Sequence, residues 1–309
     1  MKTFALEFFK PIPAPKIFSP RCPLAASLPS IFICLNPPTR PPKKVVRLFK
    51  LMSSTVEPIE IVVLSLVRST ERRLAAARQL ETAGLPWSFV AAVDAATFPP
   101  FPPEFDQQQH IRYYGCPIPI GQIGCFLSHR LAWEKCVQTG RLTLVFEDDF
   151  QLLQELSDII ALAQQHAKDF DILRLQGMET DCPNTVVQAC ENSQLVRHHR
   201  DPLGATAYFV KPSAAKILLE KSRRFHAPVD DFIFHDWIHG LTLLALLPYP
   251  VTPGGQPSTI THHHGETLSR RQKWQVRVQR LPRSACKRIF YSQLALTRFW
   301  QKLFPNKGG

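Results

Sequence analysis

The stretch Leu142-Thr143-Leu144-Val145-Phe146-Glu147-Asp148-Asp149-Phe150 ends an apolar run in three consecutive carboxylates. A run of this length in Leu, Thr, Val and Phe predicts a buried strand of a parallel sheet. Three acids at its carboxyl end repel one another and resist burial unless positive charge sits among them. In open α/β sheets, ligands bind in the crevice beyond the carboxyl ends of the strands. Hard oxygen ligands there suit Mg²⁺ or Mn²⁺ holding a diphosphate. The plainer alternative is a strand followed by the acidic first turn of a helix.

The chain has 309 residues and a net charge of +12, but that charge is unevenly spread. Residues 1–57 carry nine Lys/Arg and two acids, residues 266–309 eleven and one, and residues 58–265 seventeen and twenty-two. The body is mildly acidic between basic flanks, which argues against a specific nucleic-acid partner for it. The eight cysteines form no CxxC pair and no zinc spacing. With no clear secretory signal, the expectation is a reduced, cytoplasmic compartment.

Residues 1–56 contain ten prolines, and their longest apolar patch, 31–35, falls far short of the ~20 residues a membrane span requires. This segment is expected to be a disordered, basic leader or a mis-assigned start ahead of Met52; a basic membrane-contact arm is the alternative. Residues 57–265 are expected to form one α/β domain. Ile61-Val62-Val63-Leu64-Ser65-Leu66 predicts a strand. A helix then runs from Arg68 to about Thr82, with Ser69 or Thr70 as N-cap and Gly84 after its end. Residues 87–93 predict a second strand, and this order implies a right-handed βαβ unit. A Pro-rich loop (98–105), helices at 126–139, 157–167 and 212–221, and strands at 170–175 and 205–210 follow.

Further residues carry chemistry. In Gly121-Gln122-Ile123-Gly124-Cys125-x-x-Ser128-His129, two glycines ahead of a helix let backbone N–H groups approach a substrate closely; a simple helix entry is the alternative. In Pro228-Val229-Asp230-Asp231-Phe232, paired carboxylates in an apolar setting suit a general base, or one of them begins a helix continuing through Trp237. His262, His263 and His264 follow a Pro/Gly loop and form the other metal-like cluster.

Leu64-Ser65-Leu66 with Arg68 and Arg72-Arg73, then Ala92-Val93-Asp94, resembles the opening of glycosyltransferase family 25. The Gly121–His129 motif, Val145-Phe146-Glu147-Asp148-Asp149, Gly204-x-x-Ala207-Tyr208-Phe209-Val210 and the Pro228–Phe232 motif also resemble that family. The likeness covers about residues 59–260. It implies a GT-A-like nucleotide-sugar-binding fold with a mainly parallel central sheet and flanking helices, and an inverting transfer from a UDP-sugar. By the same resemblance Glu147 and Asp149 hold Mn²⁺ or Mg²⁺ and the diphosphate, with His262 as a third ligand. Leu64, Ser65, Leu66, Arg68, Arg72 and Asp94 are expected on the donor nucleoside. Gln122, Gly124, Ser128 and His129 are further substrate contacts, and Asp230 or Asp231 is the base. Ser65 departs from the family's usual asparagine, and Asp148 receives no role.

From Arg270 the chain is basic, and residues 284–304 predict a helix with Ile289, Leu296, Trp300 and Leu303 near one face. That tail (266–309) is expected either to attach to an anionic membrane surface or to pack on the domain. The expected enzyme is a hexosyltransferase, galactose or glucose, acting on a glycolipid or lipopolysaccharide-core acceptor at the inner face of the inner membrane. The alternatives are a non-catalytic glycan-binding scaffold and a metal-dependent nucleotidyltransferase; for the latter no Gly-Lys-Ser/Thr phosphate cradle is found.

Overall fold

The computed structural model describes residues 58–97, 101–255 and ten positions between 274 and 296. β1 (Glu60–Ser65) is buried on both faces from Ile61 onward, as befits an inner strand covered on both sides. Ser69 precedes α1 (Thr70–Glu81). Gly84, at φ +63, turns the chain toward β2 (Ser88–Ala91). The side chain of Asp106 caps α2 (Gln107–Tyr114) by accepting from the Gln109 N–H. There follow α3 (Ile120–Thr139), β3 (Thr143–Glu147), β4 (Phe150–Leu152), α4 (Leu156–Gln165) and β5 (Ile172–Arg174). A hairpin of β6 (Asn184–Ala189) and β7 (Gln194–His198) leads to β8 (Ala207–Val210) and α5 (Pro212–Lys221). Two short helices, α6 (Val229–Ile233) and α7 (Asp236–His239), precede β9 (Leu243–Leu247) and β10 (Val251–Pro253).

Eight strands form one sheet in the order β2-β1-β3-β8-β5-β9-β7-β6. β1 runs parallel to β2 and β3, and β5 parallel to β9, while β8 and β7 are antiparallel to their neighbours. The class is α/β as expected, and the sheet is mixed.

Alternate strand residues face opposite layers, as the two-residue period of a strand requires. Val62, Leu64, Val145 and Tyr208 pack with Ile123, Phe126 and Trp133 of α3 and Leu218 of α5. Ile61, Val63, Leu144, Phe146 and Phe209 pack with Leu80 of α1 and Ile159 of α4. Burial contributes roughly 1.5–3 kcal/mol for each such aliphatic or Phe side chain. These two layers hold α1 and α3 against the strand ends.

Two helix expectations change. α3 begins at Ile120, so Gly121 and Gly124 lie inside the helix rather than ahead of it. The single helix expected from Asp230 through Trp237 is broken at Phe234 and His235, and Pro228 rather than an aspartate precedes it. Asp236 opens α7 and, buried, pairs with Arg197 at 3.4 Å. In the tail, the ten described positions are helical, and Trp274, Leu281, Ile289 and Leu296 are exposed. The expected leader, the His262 to His264 run and most of the predicted 284–304 helix lie outside the described residues. Among the described residues no helix is long and apolar enough to cross a membrane.

Candidate active site

Three parallel strands end on one edge of the sheet. Leu64 of β1 pairs with Glu147 of β3, and Ser65 with Ala91 of β2. Beyond these ends lies a cavity of about 270 Å³. Residues 64–66, Arg68 and Arg72, residues 92–96, Cys125, Ser128 and His129 of α3, and residues 147–149 line it. This is the crevice at which ligands bind in open α/β sheets.

The three consecutive carboxylates go to three different environments. Glu147 Oε1 accepts from His129 Nε2 at 3.1 Å and from the Cys125 thiol at 3.6 Å. His129 Nδ1 faces the Tyr208 hydroxyl at 2.8 Å, and that oxygen accepts from Trp133 Nε1 at 2.9 Å. One tautomer satisfies the whole chain: Trp133 donates to Tyr208, Tyr208 to His129, and His129 Nε2–H to Glu147. His129 is fully buried, so at the cavity floor its work is to orient Glu147. Asp148 accepts from Ser65 Oγ at 2.7 Å and from Arg72 at 3.0 Å.

Asp149 differs from both neighbours. Its Oδ1 is buried without a hydrogen-bond partner, and Arg72 stands 3.9 Å from its Oδ2. Burial, then the charge of Glu147, pushes its carboxyl up to about 6, against the pull of Arg72. Its backbone carbonyl accepts from the Gly254 N–H, which brings the end of β10 against the acidic turn.

A buried, unpartnered carboxylate oxygen two residues from a second carboxylate is a donor set that a hard divalent cation satisfies. Glu147 and Asp149 fit Mg²⁺ or Mn²⁺. Cys125, His129 and Glu147 also bring ligand atoms within 4.8 Å of one another. There, His129 is committed on both nitrogens, and burial and Glu147 hold the Cys125 thiol well above its usual range, so oxygen ligation is favoured.

Arg68 Nε meets Asp94 Oδ2 at 2.6 Å on the cavity rim, and this bond holds the Asp94 carboxyl below its usual range. Ser128 lines the cavity, with its hydroxyl donating to Gly124 O (2.7 Å) and accepting from the Val93 N–H (2.9 Å). Gln122 and Gly124, expected as substrate contacts, are not on the wall. Gly124 is there for close packing: a Cβ on it would stand 2.9 Å from Val93 O and 3.3 Å from Ala95 Cβ. His262 lies outside the described residues.

Asp230 and Asp231 stand off the cavity wall. Asp230 Oδ2 accepts from the Gly204 N–H at 3.2 Å, and its charge reaches the Cys125 thiol. Asp231 accepts from the Tyr114 hydroxyl and lies 3.8 Å from His235 Nε2. Sequence reasoning missed Tyr114, Arg174, Asp201 and His235 around this pair. Tyr114 is 117 positions from Asp231 and Arg174 is 27 from Asp201, while His235 is only four from Asp231 but falls within the stretch expected as one continuous helix.

The model of glycosyltransferase family 25, described as LPS biosynthesis protein, matches residues 59–233. "Procollagen galactosyltransferase 1" of Danio rerio is 25% identical over 187 residues, covering 56% of this chain and 30% of that protein. "Putative glycosyltransferase" of Haemophilus influenzae is 27% identical over 125 residues, covering 38% and 43%. "Procollagen galactosyltransferase 1-A" of Xenopus laevis is 28% identical over 129 residues, covering 39% and 21%. The chain thus spans less than half the length of each of these relatives.

Proposed function

The chain belongs to glycosyltransferase family 25, and from that premise we propose that it is a metal-dependent, inverting hexosyltransferase. It moves galactose or glucose from a UDP-sugar to a lipid-linked or lipopolysaccharide-type glycan. The observation that carries this reading is the cavity at the ends of β1, β2 and β3 with the unpartnered Asp149 oxygen beside it. The names of the vertebrate relatives favour galactose, and the family description favours the lipopolysaccharide acceptor.

An inverting transfer needs a base for the acceptor hydroxyl and positive charge for the departing diphosphate. Glu147 and Asp149 hold a divalent cation, which when bound supplies Lewis acidity at the diphosphate. His129 keeps Glu147 in place. Arg72, 3.0 Å from Asp148, adds fixed positive charge at the same turn. Residues 64–66 and the Arg68–Asp94 pair bind the nucleoside. Asp230 takes the acceptor proton; it is partly exposed and its charge reaches the cavity floor at Cys125. Asp231 is engaged by Tyr114 and serves less well.

The basic tail, with exposed Ile289 and Leu296, rests on an anionic membrane surface and brings the site to a lipid-linked acceptor. Screening UDP-galactose, UDP-glucose and their N-acetyl forms for turnover with Mn²⁺, and again with EDTA, tests the proposal. EDTA-sensitive turnover of a UDP-hexose is expected; no turnover of any donor would overturn it.

A further inference from the structure

Arg174 closes β5 at 1% exposure. A buried guanidinium is costly unless it is paired and hydrogen-bonded; besides its interaction with Tyr249, three contacts of this one converge on the turn before β8 and on Phe234. Nη2 donates to Asp201 Oδ1 at 2.7 Å and Nη1 to the carbonyl of Leu203 at 2.8 Å. Its planar face lies 3.3 Å from the centre of the Phe234 ring. Asp201 Oδ1 also accepts from the Leu203 N–H at 2.9 Å. Leu203 is therefore gripped on both sides, its N–H by Asp201 and its C=O by Arg174.

That grip holds a strained backbone. Leu203 has φ +59 and, among the described residues, is the one non-glycine in the left-handed region. Such a conformation is strained and persists where the surroundings over-determine it. The strain sets up the next residue. Gly204, at φ +82, aims its N–H at Asp230 Oδ2, 3.2 Å away. A side chain there would be strained at this φ, and a Cβ on Gly204 would stand 2.6 Å from the Gln176 side-chain amide. A second path arrives from the other side: the Phe234 N–H donates to the Asp230 carbonyl at 3.0 Å, and the ring of Phe234 is the surface under Arg174.

We propose that Arg174 is a positioning residue for Asp230, fixing its carboxylate through the clamped turn of residues 201–204 and through Phe234. The inference rests on Asp230 being the base. A purely structural ion pair would need only Asp201; it would not require a second bond to a strained carbonyl whose neighbour faces Asp230. Lysine cannot replace the fork, because one ammonium lacks both the two-pronged geometry and the stacking face.

The test uses the full chain, Mn²⁺ and whichever UDP-hexose the wild type turns over fastest. Arg174→Lys should lower kcat about 10-fold to 100-fold, the scale of a misplaced catalytic group, with donor KM within about twofold. Asp201→Asn keeps the shape and the buried cation, and should show the same split more weakly. It decides the matter alone if Arg174→Lys does not unfold cooperatively. Asp230→Asn is measured in parallel. If Asp230→Asn retains wild-type kcat, the base assignment fails and this inference with it. If Asp230→Asn is inactive while folded Arg174→Lys and Asp201→Asn keep wild-type kcat, or lose only donor KM, the positioning role alone is overturned.

Discussion

The hydroxyl of Ser65 donates to Asp148 Oδ2 across 2.7 Å, tying the end of β1 to the acidic turn after β3. The two residues stand 83 positions apart. Arg72 of α1 closes the same carboxylate from the other side at 3.0 Å. Asp148 is thus the fastener among the three acids. Asp148→Ala should cost about 1–3 kcal/mol, since a partly buried hydroxyl and guanidinium both lose an acceptor. Ser65→Ala should cost about 1 kcal/mol. Urea denaturation midpoints measure both; equal midpoints for Asp148→Ala and wild type would contradict the fastening role.

Gly124 brings α3 against the chain leaving β2. Gly124→Ala forces a Cβ to 2.9 Å from Val93 O, so helix or strand exit must shift. Overpacking of this kind costs about 1–3 kcal/mol. Because residues 92–96 line the cavity, affinity for UDP should fall as well. Calorimetric titration of UDP into the folded variant checks this, and unchanged affinity would separate the packing from the site.

Buried His239 makes stability fall in acid. Its Nε2–H donates to Ile233 O at 2.8 Å, and its Nδ1 accepts from the Leu241 N–H at 3.2 Å. A second ring proton would face that N–H, and burial holds the imidazole down to about 4 from 6.5. Between these values the unfolded chain binds a proton and the folded chain does not, so stability is lost as pH falls from 6.5 toward 4. The loss reaches roughly 3 kcal/mol for this group. His198 shifts the same way, and Asp149 the opposite way. The difference between wild type and His239→Gln isolates the term. Urea midpoints at pH 7 and pH 4.5 should fall less in the variant.

The tail prediction is physical attachment. Ile289 and Leu296, seven residues apart, share a helical face and are exposed, and residues 266–309 carry eleven basic residues against one acid. Truncation at Arg270 should abolish sedimentation with vesicles containing phosphatidylglycerol. It should leave UDP-hexose turnover in solution unchanged. Undiminished sedimentation of the truncated chain would contradict a membrane role for the tail.

The buried runs were readable because burial writes itself as composition: Ile61-Val62-Val63 and Leu144-Val145-Phe146 gave β1 and β3, and their adjacency located the acids at a strand edge. The β6–β7 hairpin was not readable, since β6 is exposed throughout and offers no alternation. The polar run Gln107-Gln108-Gln109 concealed α2. Gly121 and Gly124 look alike in sequence whether they cradle a ligand or permit close packing, and the partner at Val93 decides between the two. The clamp on Asp230 depends on the local Asp201–Leu203 turn and on Arg174, which reaches that turn only because β5 pairs with β8.

The central claim is that Asp149 holds the cation on which transfer depends. Its most direct test is Mn²⁺-dependent UDP-hexose turnover by Asp149→Asn, after cooperative thermal unfolding has shown the variant to be folded. Loss of a group stabilising the developing charge predicts a fall in kcat of about 100-fold or more, with the remaining activity indifferent to Mn²⁺. Undiminished, metal-stimulated turnover would contradict it.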